Sequence, residues 1–473
     1  MPLARDIVDR TLRTPHGGQA YRIVEQLTDA GYDTWWVGGC VRDMLMRQVP
    51  QDIDIGTAAL PEAVCALFPQ ADLKGKEFGS VHVLLGRRRF EVTTFREDDE
   101  ASDGRRPETV AFGTREADAR RRDFTVNALY FHPISRALYD PFGGEGDLKE
   151  RLIRFIGDPA IRIKHDVLRL LRAVRFRALL GGVPRDDGVV LRGQYHPETY
   201  AALREQAHMI EVLSGTRIFE ELTKILLGPR PAMAFEDLRE LGILSSIFPE
   251  LTACRGIPQP ADYHHEGDVW EHILSCCRAF LEEHGIDVRL AAVFHDCGKV
   301  QTFSLKERIR FDHHASVSAE IAACALQRLQ CPSRRVEKIT WLIQHHMMMG
   351  SFEGMPEERQ GHWYYHPWFP ELLQVMWLDI AGTDPADFSL YKKIVQLRDA
   401  FLDRHPRPEK PLLSGEEVMR ILGIQPGERV GEVLKALHEA QIQKRITTKK
   451  EARDLLKRFP EFPLPGGEDT GEG

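Results

Sequence analysis

Trp36-Val37-Gly38-Gly39-Cys40-Val41-Arg42-Asp43-Met44-Leu45-Met46-Arg47-Gln48-Val49-Pro50-Gln51-Asp52-Ile53-Asp54-Ile55-Gly56 is the stretch on which the reading of the fold turns. The apolar run Thr34 to Val37 predicts a strand, Gly38-Gly39 a tight turn, and the residues from about Val41 a helix. Asp52 and Asp54 alternate with Ile53 and Ile55. On a strand this period buries the isoleucines and projects both carboxylates from one face. Paired carboxylates are hard oxygen ligands, and divalent ions held there can bridge a nucleoside triphosphate and an attacking hydroxyl. The glycines would leave bare N–H groups for phosphate oxygens, with Arg42 adding a cation beside them.

Working outward, residues 1–30 read as one helix that stops at Ala30-Gly31. Leu60-Pro61-Glu62-Ala63-Val64 opens a short helix with proline in its first turn. Two strands are expected over 80–85 and 89–95, the second alternating Phe90, Val92 and Thr94 against Glu91 and Thr93. A hairpin there, beside the Asp52/Asp54 strand, makes Glu91 a candidate third carboxylate. Residues 96–118 are polar and glycine-containing and are expected to form a mobile loop. Arg120-Arg121-Arg122-Asp123-Phe124-Thr125-Val126-Asn127 combines forked donors with hydroxyl-binding Asp and Asn, which suits a phosphate and ribose clamp. Asp140-Pro141-Phe142-Gly143-Gly144 reads as a tight turn.

From Asp158 the pattern is helical, with Val167, Leu170, Leu171, Val174 and Ala178 on one stripe and Asp166, Arg169, Arg172 and Arg175 opposite. Asp166 and Arg169, one helical turn apart, can present an acceptor and donors to the edge of a base. An ordinary salt bridge on a solvated helix face has the same spacing.

The chain has 473 residues, enough for two to four domains. No apolar run nears the roughly 20 residues of a membrane span, and the N-terminus lacks a signal-peptide core, so a cytoplasmic protein is expected. Eight cysteines without CxxC spacing argue against a zinc ribbon or a disulfide frame. A net charge of −8 argues against indiscriminate nucleic-acid binding, so any RNA contact requires a local basic stripe, expected between Arg115 and Arg177.

Gly38-Gly39-Cys40-Val41-Arg42-Asp43 followed by Asp52-Ile53-Asp54 resembles the head-domain signature of the class II tRNA nucleotidyltransferases and bacterial poly(A) polymerases. The string from Arg121 to Ala128, the turn at Asp140 and the Asp166-x-x-Arg169 element match the same family in order. Two departures stand out: Ala101 where that family often has an aromatic residue before Asp-Gly-Arg, and His165 where it usually has Glu. The resemblance implies Mg²⁺ at Asp52 and Asp54, CTP and/or ATP as donors and a tRNA 3′ end as acceptor. Gly38, Gly39, Arg42, Arg121, Arg122, Asp123 and Asn127 would hold triphosphate or ribose, and Asp166 and Arg169, assisted by Arg172 and with Arg175 nearby, would choose the base. Addition of CC or A alone, or of a poly(A) tail, stays open as an alternative.

Histidines concentrate in the C-terminal half, and the order His272, His295-Asp296, His314, His346, Asp379 resembles an HD phosphohydrolase domain. Ligands on successive helices suit one or two transition-metal ions. The resemblance implies His272, His295, Asp296 and Asp379 as the minimal metal set, with His314 and His346 supporting a second ion. A protein whose head is inactive and whose HD domain alone acts as a hydrolase or RNA surface is the alternative from another class. The expected fold class is α/β plus all-α: a mixed-sheet nucleotidyltransferase head (1–150), a helical neck and body (151–262), an HD domain (263–402), and a proline-rich linker with a closing helical segment (403–473).

Overall fold

A computed structural model describes residues 4–72, 79–97, 111–182, 193–260, 264–305, 307–405, 411–442 and 445–457. It resolves into two compact units, Met1–Ile257 with Cys324–Ser333, and Pro258–Ala323 with Arg334–Gly473.

The first unit begins with two helices, α1 (Arg5–Arg13) and α2 (Pro15–Asp29), where the sequence suggested one. Pro15 cannot donate back to the preceding turn, and Thr14 instead caps α2, its hydroxyl accepting from the Gly17 N–H at 2.9 Å. Strand β1 (Thr34–Val37), α3 (Gly39–Leu45), β2 (Asp54–Thr57), α4 (Pro61–Leu67) and the hairpin β3 (Ser80–Leu85) and β4 (Arg88–Thr94) follow. Next come the short pair β5 (Arg96–Glu97) and β6 (Ala111–Phe112), α5 (Arg115–Arg121), β7 (Tyr130–His132) and β8 (Ala137–Tyr139). The main sheet has the order β3-β4-β2-β1-β7-β8, with β2 and β4 parallel and the remaining pairs antiparallel. It is the expected mixed sheet.

Strand alternation splits the sheet's faces between packing and chemistry. Trp36, Ile55, Phe90 and Val92 join Ile7, Val8, Ile23 and Leu27 in one core under α1 and α2. The alternate residues Val37, Asp54, Gly56, Glu91 and Thr93 therefore share the opposite face. At the described ends of the stretch 96–118, where a loop was expected, stand β5, β6 and the start of α5, and the Thr114 hydroxyl caps α5 by accepting from the Ala117 N–H at 3.3 Å. Ala101 and the Asp-Gly-Arg that follows it lie outside the described residues.

Asp140 does form the anticipated turn, its two carboxylate oxygens accepting from the Gly144 and Glu145 N–H groups at 2.8 and 2.9 Å. This starts α6 (Gly144–Lys149), whose first residue passes so near Thr125 that a Cβ there would lie 2.2 Å from the Thr125 carbonyl oxygen. The turn thus braces the segment carrying Asp123 and Asn127. Two helices follow, α7 (Pro159–His165) and α8 (Arg169–Leu180), then Pro197–Glu205, Gly215–Leu227 and Pro231–Glu240.

In the second unit the helices Val269–Arg278, Ile286–Phe294 and Phe369–Gly382 pack on one another. Helix Ser389–Arg404 runs through the start of the anticipated linker, of which residues 406–410 are not described. Helices Gly415–Leu422, Glu428–Ile442 and Lys449–Lys457 close their own small core around Val418, Val433 and Leu456. Among the described residues no helix is long and apolar enough to cross a membrane.

Candidate active site and metal centre

The face of the sheet left free by packing forms a cleft of about 240 Å³ lined by Asp54, Glu91, Thr93, Arg96, Arg121 and Arg122. Asp54 stands at the start of β2 opposite Val37. The surrounding wall, together with Asp52 and Glu91, pushes its carboxyl up to about 6. Like charges and lost water both favour the neutral form. Glu91, read as a third carboxylate, is on this cleft as expected.

Asp52 is placed differently from the prediction. It precedes the β2 ladder, its side chain is largely exposed, and its Oδ1 accepts from the Ile53 N–H at 3.1 Å. The Ile53 amide satisfies the carboxylate locally, and the chain enters the sheet only at Asp54. His16 Nε2 lies 3.7 Å from the same Oδ1, and its ring stacks on Phe90 at 4.7 Å.

The glycine turn also differs. Gly38 has φ +71°, reachable without strain only by glycine, but its N–H is spent on the Leu129 carbonyl at 2.9 Å. A Cβ there would meet Arg122 Nη1 at 2.8 Å, so the turn exists to let that guanidinium in. Arg42, expected as a free cation, is buried; it donates to Asn127 Oδ1 and to Asp43 Oδ1, both at 2.9 Å. Asn127 Nδ2 in turn donates to Asp123 Oδ1 at 3.0 Å, and Arg172 Nη2 lies 2.5 Å from Asp123 Oδ2. Burial would raise the Asp123 carboxyl, but Arg172 and Asn127 outweigh it and hold it below its usual range. The guanidiniums of Arg42, Arg172 and Arg175 surround the Phe176 ring at 5.3, 5.3 and 4.2 Å. The residues anticipated as a clamp are thus a prebuilt network.

Asp166 and Arg169 are not turn-to-turn neighbours on one helix. α7 ends at His165, Asp166 is extended (φ −150°, ψ 101°), and α8 starts at Arg169. Asp166 Oδ1 accepts from Arg217 at 3.0 Å, while Arg169 donates to the Arg162 carbonyl at 2.6 Å. The apolar stripe of Val167 and Leu170 continues through the break, which is why periodicity alone did not find it. Nor do the arginines form an open stripe: Arg121 and Arg122 pair with Asp118, Arg154 with Asp147, Arg175 with Glu221 and Arg177 with Asp237.

The second unit gathers all six expected ligands. His272 Nε2 is 3.3 Å from His295 Nε2 and 3.1 Å from Asp379 Oδ1, and His295 Nε2 is 3.4 Å from both Asp379 Oδ1 and Asp296 Oδ2. On its other side Asp296 Oδ1 is 3.4 Å from His314 Nε2 and 4.0 Å from His346 Nε2. Every ring is oriented by its far nitrogen: Nδ1 of His295, His314 and His346 bonds to the carbonyls of Ala292, Phe311 and Ile343 at 2.8, 2.9 and 2.6 Å. Nδ1 of His272 bonds to Glu266 Oε1 at 3.0 Å. Each Nε2 therefore turns its lone pair inward, the orientation of metal-binding imidazole. Asp296 sits between two donor groups, one oxygen toward each.

The profile of the poly A polymerase head domain matches residues 34–154, that of the probable RNA and SrmB-binding site of polymerase A residues 194–255, and that of the HD domain residues 263–402. A CC-adding tRNA nucleotidyltransferase of Thermus thermophilus is 34% identical over 441 residues, 90% of this chain and 93% of that one. The chain belongs to the tRNA nucleotidyltransferase and poly(A) polymerase family. An A-adding tRNA nucleotidyltransferase of Deinococcus radiodurans is 34% identical over 362 residues, covering 73% of this chain and 80% of that one. The crystal structure of the Bacillus stearothermophilus CCA-adding enzyme in complex with CTP aligns with a TM-score of 0.65 at 26% identity, over 95% of this chain and 98% of that one. A nucleotidyltransferase head joined to an HD domain implies the use of divalent metal.

Three residues of this family member's sites escaped the sequence reading. Asp118, only 2% exposed, takes Arg121 and Arg122 on its two oxygens and the Tyr130 hydroxyl at 2.7 Å. Its spacing of three and four from the arginines was the available signal, hidden by assigning 96–118 to a loop. Glu266, from an irregular segment, orients both His264 (2.7 Å) and His272, and nothing in its neighbours announced that. His16 is brought to Asp52 only by the fold.

Proposed function

We propose that this protein is a tRNA 3′-end nucleotidyltransferase that adds C and/or A residues from CTP and ATP to build or repair the CCA end. The carrying observation is the face-sharing pair Asp54 and Glu91, with Asp52 beside it, opposite Arg121 and Arg122 in one cleft. The donor set is all oxygen, and burial, then repulsion from Asp52 and Glu91, raises Asp54, so it fits a hard divalent cation, Mg²⁺. Mg²⁺ would supply charge neutralisation of the triphosphate and a lowered pKa for the primer hydroxyl. Asp52, Asp54 and Glu91 would hold the cation, and Arg121 and Arg122, locked by Asp118, would face the phosphates. The network of Arg42, Asp123, Asn127 and Arg172 around Phe176, with Arg175, fixes the wall against which nucleotide is held. Gly38 and Gly39 shape that wall rather than donate to it.

Base choice is assigned to Asp166 and Arg169. Their place at the break between α7 and α8 supports this, since a non-helical hinge can re-aim both side chains once Arg217 and the Arg162 carbonyl are given up. Domain limits of 1–150, 151–262, 263–402 and 403–473 are proposed for head, neck and body, HD domain and closing segment. In the HD domain, His272, His295, Asp296 and Asp379 would hold one divalent transition metal and His314 and His346 would support a second, for phosphohydrolase chemistry.

The test uses three tRNA transcripts, ending before CCA, after CC and after CCA, each with Mg²⁺ and CTP, ATP or both, read by length. Completion of CCA on the shortest supports the reading. Stopping at CC, as the relation to a CC-adding enzyme would suggest, or single A addition narrows it. Incorporation that survives Asp54→Asn, or no incorporation on any primer, refutes it.

A further inference from the structure

One donor at the HD site has no place in the set above. Cys276 lies one turn after His272 on the helix Val269–Arg278, is fully buried, and holds its Sγ 3.6 Å from His272 Nε2, the nitrogen that faces the cluster. Cys276, His272 and His295 offer ligand atoms that all lie within 4.8 Å of one another. The room for the sulfur is made by Gly382, one turn beyond Asp379 on the facing helix, where a Cβ would come within 2.4 Å of Sγ.

The distances can be tested against coordination geometry. Ligands about 2.05 Å (N or O) and about 2.3 Å (S) from one tetrahedral ion are separated by about 3.3 Å for N or O pairs and about 3.5 Å for N and S. Four of the six edges are 3.3 Å (His272 to His295), 3.1 Å (His272 to Asp379), 3.4 Å (His295 to Asp379) and 3.6 Å (His272 to Cys276), and the Cys276 sulfur lies within 4.8 Å of the His295 ligand nitrogen. Asp296 Oδ2, by contrast, is already held by Lys299 Nζ at 2.6 Å and is 3.7 Å from His272 Nε2.

We propose that Cys276 is a ligand of the HD-domain metal, binding through its sulfur to the ion of His272, His295 and Asp379 in the place given to Asp296 above, which leaves Asp296 to the side of His314 and His346. This rests on the metal-centre reading above and specifies its chemistry. On coordination the S–H bond is lost, the proton leaves to solvent and a thiolate–metal bond forms. A thiolate in the set selects a thiophilic ion, zinc, cobalt or iron, over magnesium, and separates the two metal sites of one chain by ligand softness.

The experiment loads the full-length protein with Co²⁺, removes excess by dialysis, and records the near-ultraviolet thiolate-to-cobalt charge-transfer band together with cobalt content. Wild type is expected to show the band. Cys276→Ser and Cys276→Ala should lose it and bind cobalt more weakly, by no less than the about 10–100-fold that even outer-shell partners contribute. X-ray absorption of the wild-type cobalt protein needs no substitution and should show one sulfur neighbour at about 2.3 Å. Cobalt retained without a band, a band that survives in Cys276→Ala, or no sulfur neighbour overturns the proposal while leaving the metal centre standing. If wild type retains no more cobalt than His295→Ala, the metal-centre reading itself falls, and the proposal with it.

Discussion

Asp54 gives the sharpest link between fold and chemistry, because a proton and a metal ion compete for the same carboxylate. Its carboxyl is pushed up to about 6 by the surrounding protein, then by Asp52 and Glu91. The sign follows directly: as the pH falls through that value the free site takes up a proton, loses an anionic ligand and binds metal less well. For a single competing proton with a pKa of about 6, the apparent half-saturating Mg²⁺ concentration rises about tenfold between about pH 7 and about pH 5. An ordinary Asp carboxyl near 3.9 would change it by less than about 10% over the same interval. The assay is single-nucleotide incorporation on a CC-ended tRNA, with Mg²⁺ titrated at each pH. An unchanged half-saturation point, or an inhibition at low pH in which added Mg²⁺ leaves that point where it was, would refute the reasoning. Replacing Glu91 by Gln removes one repelling charge and should move the transition to lower pH.

Three further outcomes are expected. Asp118→Ala leaves the partly buried guanidiniums of Arg121 and Arg122 without their shared carboxylate; unfolding should become easier by about 1–3 kcal/mol in denaturant titration, and KM for nucleotide should rise. Gly38→Ala places a Cβ in a positive-φ turn against Arg122; a loss of about 1–3 kcal/mol in the same titration is expected, with reduced incorporation. In the second unit, burial would raise the Glu266 carboxyl, but hydrogen bonds from His272, His264 and the Asp384 amide hold it down to about 2. Glu266→Gln should weaken metal binding at the HD site about 10–100-fold by equilibrium dialysis, with the transferase rate unchanged.

The order of the first strands and the alternation of β4 were legible because each depends on local period, and the six HD residues, which the structure brings together, were named by the resemblance to an HD domain. Strand alternation sets Glu91 opposite Phe90 and Val92, and in the fold it lines one cleft with Asp54. What failed were statements about partners. The sequence reading took Arg42 as a cation beside the glycine turn and Arg172 and Arg175 as helpers in base choice, yet Asn127, Asp123 and Glu221 reach them from other elements, and Asp43, the next residue on α3, also takes Arg42. It ran α7 and α8 together because buried apolar residues continue through a backbone break that periodicity does not register.

By itself, then, the sequence determined which residue types are available for chemistry and the strand alternation that turns Glu91 away from Phe90 and Val92, since period and residue type are properties of the chain. Only the tertiary structure decided their state. The charge of Asp54, the pairing of each arginine, and the approach of His16 to Asp52 and of Cys276 to the HD ligands all depend on distances between segments remote in sequence. Electrostatic and coordination energies change steeply over about an ångström, a scale that only packing fixes.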